Sequence, residues 1–315
     1  MKKLNVAILG FGTVGSGTFN ILMNNADIIT ERTGAEIRIM KIFSRSLKEG
    51  IPEKIYTDDI NSVLSDDSID CVVEAIGGIN PATEYMIRAM DSGKHVVSAN
   101  KAAIAESWEA LNEAAKRNNV SFLYEAAVGG GIPVLTAIRG QLSGNRFTEV
   151  MGIVNGTSNF ILTKMSEEGM SYAEALKTAQ ELGFAESDPT ADVEGIDAAN
   201  KLTILMALLF GEYIHPMSIP RCGMVHITED DIKRAVEKGE KIKLIARAYY
   251  KGEELKCSVK PEGVPISHPL AGVSNEFNAV YITGDAVGET MLYGRGAGAL
   301  PTGSAVVGDI ISLVR

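Results

Sequence analysis

The sequence contains few cysteines and no metal-binding pattern of cysteine or histidine. Cys71, Cys222 and Cys257 form no CxxC pair, and an odd number leaves at least one thiol outside any disulfide. The four histidines are scattered without the spacing of metal ligands. We therefore expect neither a disulfide scaffold nor a zinc site, and a reducing cytoplasm fits this cysteine content best.

Basic residues are fewer than acidic ones. The chain has 40 Asp and Glu residues against 30 Lys and Arg residues, which gives a formal net charge of −10. Because no basic patch dominates this balance, the composition argues against nucleic acid or an anionic membrane surface as a partner.

Long hydrophobic runs are also missing. The longest uninterrupted apolar run is 204–210, whereas a helix needs about 20 residues to cross a bilayer core of about 30 Å. Two lysines before the apolar residues 6–11 imitate a signal peptide, but Gly10, Gly12 and Gly15 interrupt that stretch and no cleavage site follows. The sequence therefore predicts a soluble cytoplasmic protein with no membrane partner.

The chain has the composition of an ordinary globular protein, and its 315 residues leave room for two domains of about 150 residues each. Strand-like and helix-like segments alternate over residues 1–131, which predicts βαβ units and a Rossmann-type, doubly wound parallel sheet. The predicted strands are 5–9, 36–43, 70–75, 94–98 and 120–126.

Beyond Gly131 the pattern changes to that of an α+β domain. The predicted helices are 159–168, 172–182 and 193–210, and the predicted strands are 149–154, 241–250, 254–260 and 279–284. A last helix is predicted from about residue 303 to the C-terminus. The fold class is therefore α/β with a second, α+β domain.

A glycine-rich turn follows the first predicted strand and precedes a helix. The turn matches G-x-G-x-x-G, in which Gly10 permits a tight turn, Gly12 lets the backbone approach a pyrophosphate and Gly15 lets the helix pack on the strand. The alternative to a dinucleotide-binding motif is a glycine-rich turn that binds no ligand. With its flanking elements the motif predicts dinucleotide binding by Gly10, Phe11, Gly12, Thr13, Val14 and Gly15.

The end of the second predicted strand bears on the choice of dinucleotide. NAD-binding proteins place an acid there for the ribose 2′-hydroxyl, whereas NADP-binding proteins offer an arginine for the 2′-phosphate. This chain has Arg45 between two serines and no acid, although Arg45 lies farther from Gly15 than is usual. The sequence favours NADP, with NAD and a solvated loop arginine as the alternatives.

The segment 183–201 places five acidic residues between two apolar helices. Asp197 and Lys201 lie one turn apart on the second helix, and the apolar continuation to Phe210 predicts that this helix is buried. Burial lowers the pKa of a lysine toward acid–base use, while the aspartate acts in the opposite sense and orients it. The alternative is an i,i+4 ion pair worth about 0.3 kcal/mol.

Lys101 follows the fourth predicted strand, at the carboxyl edge of the sheet where doubly wound folds bind ligands. This position predicts a role near the nicotinamide, and the alternative is a solvated loop lysine.

Motifs in a fixed order along nearly the whole chain resemble those of the homoserine dehydrogenase family. They occupy 10–15, 99–101, 125–133, 152–162, 183–201 and 296–302. The motifs at 152–162 and 183–201 are highly specific.

This resemblance implies NAD(P)-dependent, reversible hydride transfer between L-homoserine and L-aspartate 4-semialdehyde, a step toward threonine, methionine and isoleucine. Lys201 would be the general acid/base at the alcohol or aldehyde oxygen, with Lys101 close to the same oxygen and to the cofactor. Asp197 would orient Lys201 and the substrate, while Glu186 and Asp192 would hold the substrate ammonium group. A cationic lysine suits the alkoxide charge that develops during hydride transfer.

The resemblance also implies further cofactor contacts, a sodium ion and a homodimer formed through the sheet of the second domain. The further cofactor contacts are Gly77, Lys101 and Gly298, and the sodium ligands are Glu125, Val128, Gly130 and Ile132, through main-chain carbonyls.

The domains expected from the resemblance are 1–131 with 296–315 for the dinucleotide, and 132–295 for the substrate and dimerisation. The length leads us to expect the short form of the family, without a C-terminal regulatory domain or a fused aspartate kinase.

Two other functions remain as alternatives. One is another NAD(P)-dependent oxidoreductase acting on a hydroxy or amino acid, and the other is a non-catalytic dinucleotide-binding regulatory module. No cysteine lies in a glycine-rich context suited to a covalent thiohemiacetal, which argues against dehydrogenases that form an acyl-enzyme.

Overall fold

The computed structural model describes residues 2–315 of the chain, which divides into two compact units. The N-terminal unit comprises Met1–Gly131 together with Ala297–Arg315, and the central unit comprises Ile132–Gly296.

The N-terminal unit is built on a parallel six-stranded sheet. Its strands are β1 (Lys2–Leu9), β2 (Ala35–Phe43), β3 (Tyr56–Thr57), β4 (Cys71–Glu74), β5 (His95–Ser98) and β6 (Phe122–Leu123). The helices between them are α1 (Thr13–Asn24), α2 (Ala26–Thr33), α3 (Ile60–Leu64), α4 (Ala82–Asp91), α5 (Lys101–Glu106) and α6 (Trp108–Asn118). The strand order β3-β2-β1-β4-β5-β6 reverses direction between β1 and β4, which is the switch point where such sheets bind ligands.

The central unit is built on an antiparallel five-stranded sheet of order β11-β10-β7-β8-β9. Its strands are β7 (Phe147–Ile153), β8 (Glu240–Lys251), β9 (Glu254–Pro265), β10 (Phe277–Gly284) and β11 (Gly288–Arg295). Its helices are α7 (Val134–Arg139), α8 (Gly156–Glu168), α9 (Tyr172–Glu181), α10 (Thr190–Val193), α11 (Ile196–Leu209) and α12 (Glu229–Glu237). The chain then ends in α13 (Ala299–Ser312), which belongs to the N-terminal unit.

The predicted fold class is confirmed. The central strands show why their apolar residues predicted a parallel sheet. Val6, Ile8 and Val73 are fully buried because helices cover both faces of a parallel sheet, so its strands are almost continuously apolar. The α13 helix supplies Val306 and Ile310 to the same core.

Helices α1 and α13 pack closely because glycine lies where they approach each other. A Cβ atom on Gly17 would overlap the carbonyl oxygen of Ala299, and one on Gly303 would lie 2.7 Å from the carbonyl carbon of Gly17. Any larger side chain at either position would force the two helices apart.

Several predicted boundaries were wrong. The strand predicted at 120–126 is reduced to β6, because the chain turns into a 3₁₀ helix at Glu125–Ala127 and the Glu125 N–H donates to the Asp309 carboxylate at 2.8 Å. The last helix begins at Ala299 rather than at residue 303, since Pro301 is tolerated in a first helical turn. Strands β3 and β11 and helices α2, α3, α5, α7 and α10 were not predicted.

Among residues 2–315, no helix combines the length and the apolar character needed to cross a membrane.

Candidate active site

The glycine-rich turn has the geometry that its motif predicts. Gly10 has φ +97°, and a Cβ atom there would lie 2.5 Å from the carbonyl oxygen of Ala75. A Cβ atom on Gly15 would overlap the carbonyl oxygen of Gly10, so this glycine lets α1 pack against the turn. Gly12 has nothing within 4 Å of that position. Open space at Gly12 is what the close approach of a pyrophosphate requires.

Helix α1 begins at this turn without a side-chain cap. Gly12 is its N-cap, and among residues 2–315 no side chain accepts from the first-turn N–H groups. These N–H groups and the positive end of the helix dipole suit a phosphate. Thr13 is exposed and Val14 partly exposed beside them, whereas the Phe11 ring is buried and packs edge-on against Phe19. The turn can therefore hold a dinucleotide phosphate mainly through its backbone.

Arg45 lies beside the glycine-rich turn. The backbone N–H of Gly10 donates to the carbonyl of Phe43 at 2.9 Å, so the end of β2 is bonded to the turn, and Arg45 follows two residues later. The Arg45 side chain is exposed, and in the described part of the chain it forms no hydrogen bond or ion pair. Lys48, which was not predicted, donates from Nζ to the Phe11 carbonyl at 3.3 Å and brings a second cation to this edge.

The other predicted cofactor contacts lie in the same unit. Gly77 follows β4 with φ +82° and nothing within 4 Å of its Cβ position. Lys101 is the first residue of α5, directly after the N-cap Asn100, whose side chain accepts from the N–H of Ala103. Gly298, with φ +117°, is the N-cap of α13. These three residues border loops rather than interior strand positions, as ligand-binding residues of such sheets do.

Lys201 and Asp197 form a buried ion pair in the central unit. Lys201 Nζ donates to Asp197 Oδ2 at 2.6 Å, and each residue is 7% exposed. Lys201 Nζ also donates to the main-chain carbonyl of Val154 at 2.6 Å. Two short bonds from different elements fix the direction of the ammonium group, so the pair is not the solvated surface pair of the alternative interpretation.

Asn155 joins this pair to a second carboxylate. Its Nδ2 donates to Asp197 Oδ2 at 2.9 Å and to Asp192 Oδ1 at 2.6 Å. Its Oδ1 accepts from the N–H of Ser158, which makes Asn155 the N-cap of α8. Asn155 lies in a predicted motif but was not assigned a role, and its place directly after β7 and before α8 was the available signal.

The two carboxylates differ in their surroundings. Burial raises the pKa of Asp192 above the ordinary aspartate value, and the nearby Asp197 carboxylate raises it further, while the Asn155 amide and the Lys201 ammonium oppose this rise. A cationic group beside Asp192 would therefore stabilise the ionised form of a carboxylate that burial disfavours.

Glu186 is not brought into this cluster. It is exposed in the loop after α9, where its main-chain carbonyl accepts from Gln180 Nε2 at 3.1 Å. Its carboxylate forms no hydrogen bond or ion pair among residues 2–315. Any contact of Glu186 with a substrate therefore depends on the ligand rather than on a preformed network.

The predicted sodium loop has few side-chain ligands. Glu125 is 5% exposed, and its main-chain carbonyl accepts from the N–H of Val128 at 3.3 Å. Gly130 has φ +57°, and the carbonyl of Ile132, the first residue of the central unit, accepts from Val134 at 2.8 Å. No group of three or more His, Cys, Asp or Glu side chains within residues 2–315 could hold a metal. Main-chain oxygens are nevertheless acceptable ligands for a hard cation.

The N-terminal unit has a parallel sheet with an open glycine-rich turn at its switch point. The central unit has a buried lysine held by a carboxylate. These two features are typical of an oxidoreductase that depends on a nicotinamide dinucleotide.

Comparisons with known proteins narrow this class. Residues 133–311 match the family model of homoserine dehydrogenase, and residues 10–125 match that of the homoserine dehydrogenase NAD-binding domain. The homoserine dehydrogenase of Bacillus subtilis is 43% identical over the whole chain, which spans 74% of the relative, and that of Pseudomonas aeruginosa is 45% identical, with 73% of the relative spanned.

Solved structures agree. The homoserine dehydrogenase of Thiobacillus denitrificans superposes with a TM-score of 0.96 at 44% identity, over the whole chain and 74% of that protein. A hyperthermophilic archaeal homoserine dehydrogenase in complex with NADPH superposes with a TM-score of 0.83 at 30% identity, over 98% of the chain and 97% of that protein.

The chain belongs to the homoserine dehydrogenase family. It is an oxidoreductase that acts on a CH–OH group and uses a nicotinamide dinucleotide, so the resemblance found in its motifs is confirmed. The alternatives of another oxidoreductase and of a non-catalytic regulatory module receive no support from the relatives.

Proposed function

We propose that the chain interconverts L-homoserine and L-aspartate 4-semialdehyde with Lys201 as the general acid/base. The observation that carries this assignment is the buried Lys201 ammonium, held by Asp197 and by the Val154 carbonyl. The bound dinucleotide would supply or accept the hydride. In the reducing direction Lys201 would donate a proton to the aldehyde oxygen, and Asp197 would stabilise the ammonium form before transfer.

The remaining polar groups suit the rest of an amino-acid substrate. Asp192, with its raised pKa, would gain from the substrate ammonium group, and the exposed Glu186 would reach the same group once the ligand is bound. Lys101, at the start of α5, would lie on the cofactor side of the reacting oxygen. Carboxylates would thus contact the ammonium group of the substrate, and lysines would contact its reacting oxygen.

NADP is the dinucleotide we propose. The support is Arg45, an exposed guanidinium beside the glycine-rich turn that forms no ion pair in the described part of the chain, with Lys48 nearby. A guanidinium binds a phosphate through two parallel hydrogen bonds, whereas a ribose hydroxyl gains little from it. In wild type we expect kcat/KM to be higher with NADPH than with NADH.

Replacing the arginine tests this preference. Arg45→Ala should lower the ratio of kcat/KM for NADPH to that for NADH by about tenfold, which corresponds to about 1.4 kcal/mol. Arg32→Ala, at an exposed position on α2 of the same unit, is the matched control and should leave the ratio unchanged. A ratio that is the same in all three proteins would contradict the assignment of Arg45.

A sodium ion and a homodimer complete the proposal. The main-chain carbonyls of Glu125, Val128 and Gly130 would bind the ion, with Ile132 as the fourth predicted ligand. The edge strand β11 exposes Met291 at 37% and Tyr293 at 51%, which supports association of two copies through this sheet. Light scattering coupled to gel filtration should give twice the mass of one chain.

The activity itself is tested by following NADPH oxidation with L-aspartate 4-semialdehyde. Wild type should consume NADPH with this substrate and should reduce NADP with L-homoserine. A protein that binds NADPH but turns over neither substrate would contradict the proposed reaction.

A further inference from the structure

Glu74 is a fully buried acid at the switch point of the parallel sheet. It ends β4, where it is in register with Leu9 of β1 on one side and with Ser98 of β5 on the other. A carboxylate is rarely buried completely unless it is paired or bonded to several donors. Its position therefore calls for a reason beyond filling the core.

All of its bonding partners are neutral. Oε1 accepts from the backbone N–H of Ile76 at 2.8 Å, from that of Gly77 at 3.3 Å and from Asn100 Nδ2 at 3.4 Å. Oε2 accepts from the hydroxyl of Ser98 at 2.7 Å. No cation of residues 2–315 forms an ion pair with this carboxylate. Its bonds therefore hold two pieces of backbone rather than neutralise a charge.

One arm of this network holds the loop after β4. That loop contains Gly77, one of the predicted cofactor contacts, and the N–H of Gly77 donates a hydrogen bond to Glu74. Asn100 strengthens the same arm, because its Nδ2 donates to the carbonyl of Gly78 at 2.6 Å. Gly77 and Gly78 both have positive φ. Because glycine is conformationally permissive, we expect these hydrogen bonds to fix the conformation of the loop.

The other arm holds the start of α5. Ser98 Oγ donates to Glu74 and accepts from the N–H of Asn100 at 3.0 Å. Asn100 in turn caps α5 by accepting from Ala103 at 3.1 Å, and Lys101 is the first residue of that helix. The same carboxylate thus reaches both the loop at Gly77 and the residue next to Lys101.

We propose that Glu74 is a positioning residue that fixes the loop at Gly77 and the start of α5 at Lys101 in a single arrangement. The inference rests on the proposed function for the roles of Gly77 and Lys101. In this role Glu74 would act through the backbone that it holds, which carries the proposed ligand contacts, rather than through a contact of its own with substrate or dinucleotide. Preorganisation of this kind matters because a displacement of about 1 Å can cost about a hundredfold in rate.

Two substitutions separate the arms. Glu74→Gln keeps an oxygen for the N–H groups of Ile76 and Gly77, but it turns an amide nitrogen toward Ser98, so the Ser98 hydroxyl loses the carboxylate oxygen to which it donates. Glu74→Ala removes both arms. The matched control is Lys94→Met, since Lys94 is 2% exposed and lies in the same unit, just before β5 at the opposite end of that strand, where its Nζ donates to two carbonyls.

Three measurements give the expected pattern. In the protein without cofactor, amide exchange at residues 76–78 should be about tenfold faster in Glu74→Ala and little changed in Glu74→Gln. The NADPH Kd from calorimetry should rise about tenfold in Glu74→Ala and less than threefold in Glu74→Gln. The kcat should fall about tenfold in Glu74→Gln and further in Glu74→Ala, while Lys94→Met keeps both constants.

The outcomes that overturn the proposal are distinct from failure of the proposed function. If folded Glu74→Gln matched Lys94→Met in kcat and residues 76–78 exchanged alike in all variants, Glu74 would have only a structural role. If Glu74→Ala does not fold, the Glu74→Gln comparison still decides. If wild type were inactive with the semialdehyde, the proposed reaction would fail, yet exchange and calorimetry would still test Glu74.

Discussion

The glycine-rich turn of the N-terminal unit and the lysine–aspartate pair of the central unit are built in opposite ways. The turn offers mainly backbone: Gly12 borders open space, α1 has no side-chain cap, and Arg45 is exposed and unpaired within the described residues. In the central unit Lys201 and Asp197 are each 7% exposed and are bonded to each other and to neighbouring groups.

This contrast assigns different tasks to the two regions. The backbone groups of an open site form their hydrogen bonds only when the ligand binds. Changes at such a site should therefore alter ligand affinity more than the free energy of unfolding. A buried, bonded side-chain pair is preorganised before the substrate arrives, so changes there should alter the chemical step.

Loss of Lys201 should have the largest effect. Lys201→Ala removes the proton donor and should lower kcat by about 10² to 10⁴, with little change in NADPH Kd. The control is Lys243→Met, which removes another buried lysine of the central unit, 2% exposed on β8, and should keep kcat within about threefold. Steady-state kinetics with purified proteins makes the comparison, and near-wild-type kcat in Lys201→Ala would show that another group donates the proton.

The glycines of the turn should separate binding from folding. Gly12→Ala places a methyl group in open space of the ligand-free protein, so stability should hold while NADPH Kd rises about a hundredfold, or about 2.8 kcal/mol. Gly15→Ala would overlap the Gly10 carbonyl and should lower the free energy of unfolding by about 1–3 kcal/mol. Calorimetry and urea unfolding measure the two effects, and equal stability losses in both variants would contradict the assigned roles.

Lys243 sharpens the comparison inside the central unit, because its two hydrogen-bond partners, Asn159 Oδ1 and the Val273 carbonyl, are neutral. Burial lowers its pKa to about 8 from an ordinary value of 10.5, with Lys241 contributing and Glu167 opposing. Between these values the unfolded chain binds more protons, so folding stability should rise with pH, by at most about 3 kcal/mol.

Urea unfolding near pH 7.5 and pH 10 tests this linkage. The free energy of unfolding of wild type, relative to that of Lys243→Met, should increase toward the higher pH. A difference between the two proteins that does not change with pH would show that Lys243 titrates normally in the folded state.

Asn155 should have the smallest effect of the four. Asn155→Ser keeps an oxygen that can cap α8 but cannot bond to Asp192 and Asp197 together, so kcat should fall about tenfold with stability nearly unchanged. Asn155→Ala should also lose about 1 kcal/mol of stability. If Asn155→Ser retained wild-type kcat, the bridge between the carboxylates would have no part in orienting Lys201.

The parts that could be predicted from the sequence are those set by local patterns. The turn at Gly10, the helix that follows it and the Asp197–Lys201 pair depend on residues within a few positions of each other, and the structure has all three. The burial of α11 followed from its apolar continuation.

The parts that were missed depend on partners far away in sequence. The strand predicted at 120–126 is cut short because Glu125 is bonded to Asp309, and Asn155 bridges acids 37 and 42 residues away. Glu74 lies inside the predicted strand 70–75 and was given no role, and only the pairing of β4 with β5 brings it to Ser98. Strand β11 was missed because its glycines interrupt the apolar pattern, and pairing with β10 specifies it instead.

A double-mutant cycle tests the division of tasks most directly. NADPH Kd and the single-turnover rate at saturating NADPH would be measured in wild type, Gly12→Ala, Lys201→Ala and the double variant. Gly12→Ala should change Kd alone and Lys201→Ala the rate alone, and the double variant should combine both effects within about 0.5 kcal/mol. A Lys201→Ala protein that loses NADPH affinity as severely as Gly12→Ala, or a Gly12→Ala protein that is equally slow when saturated, would contradict the account.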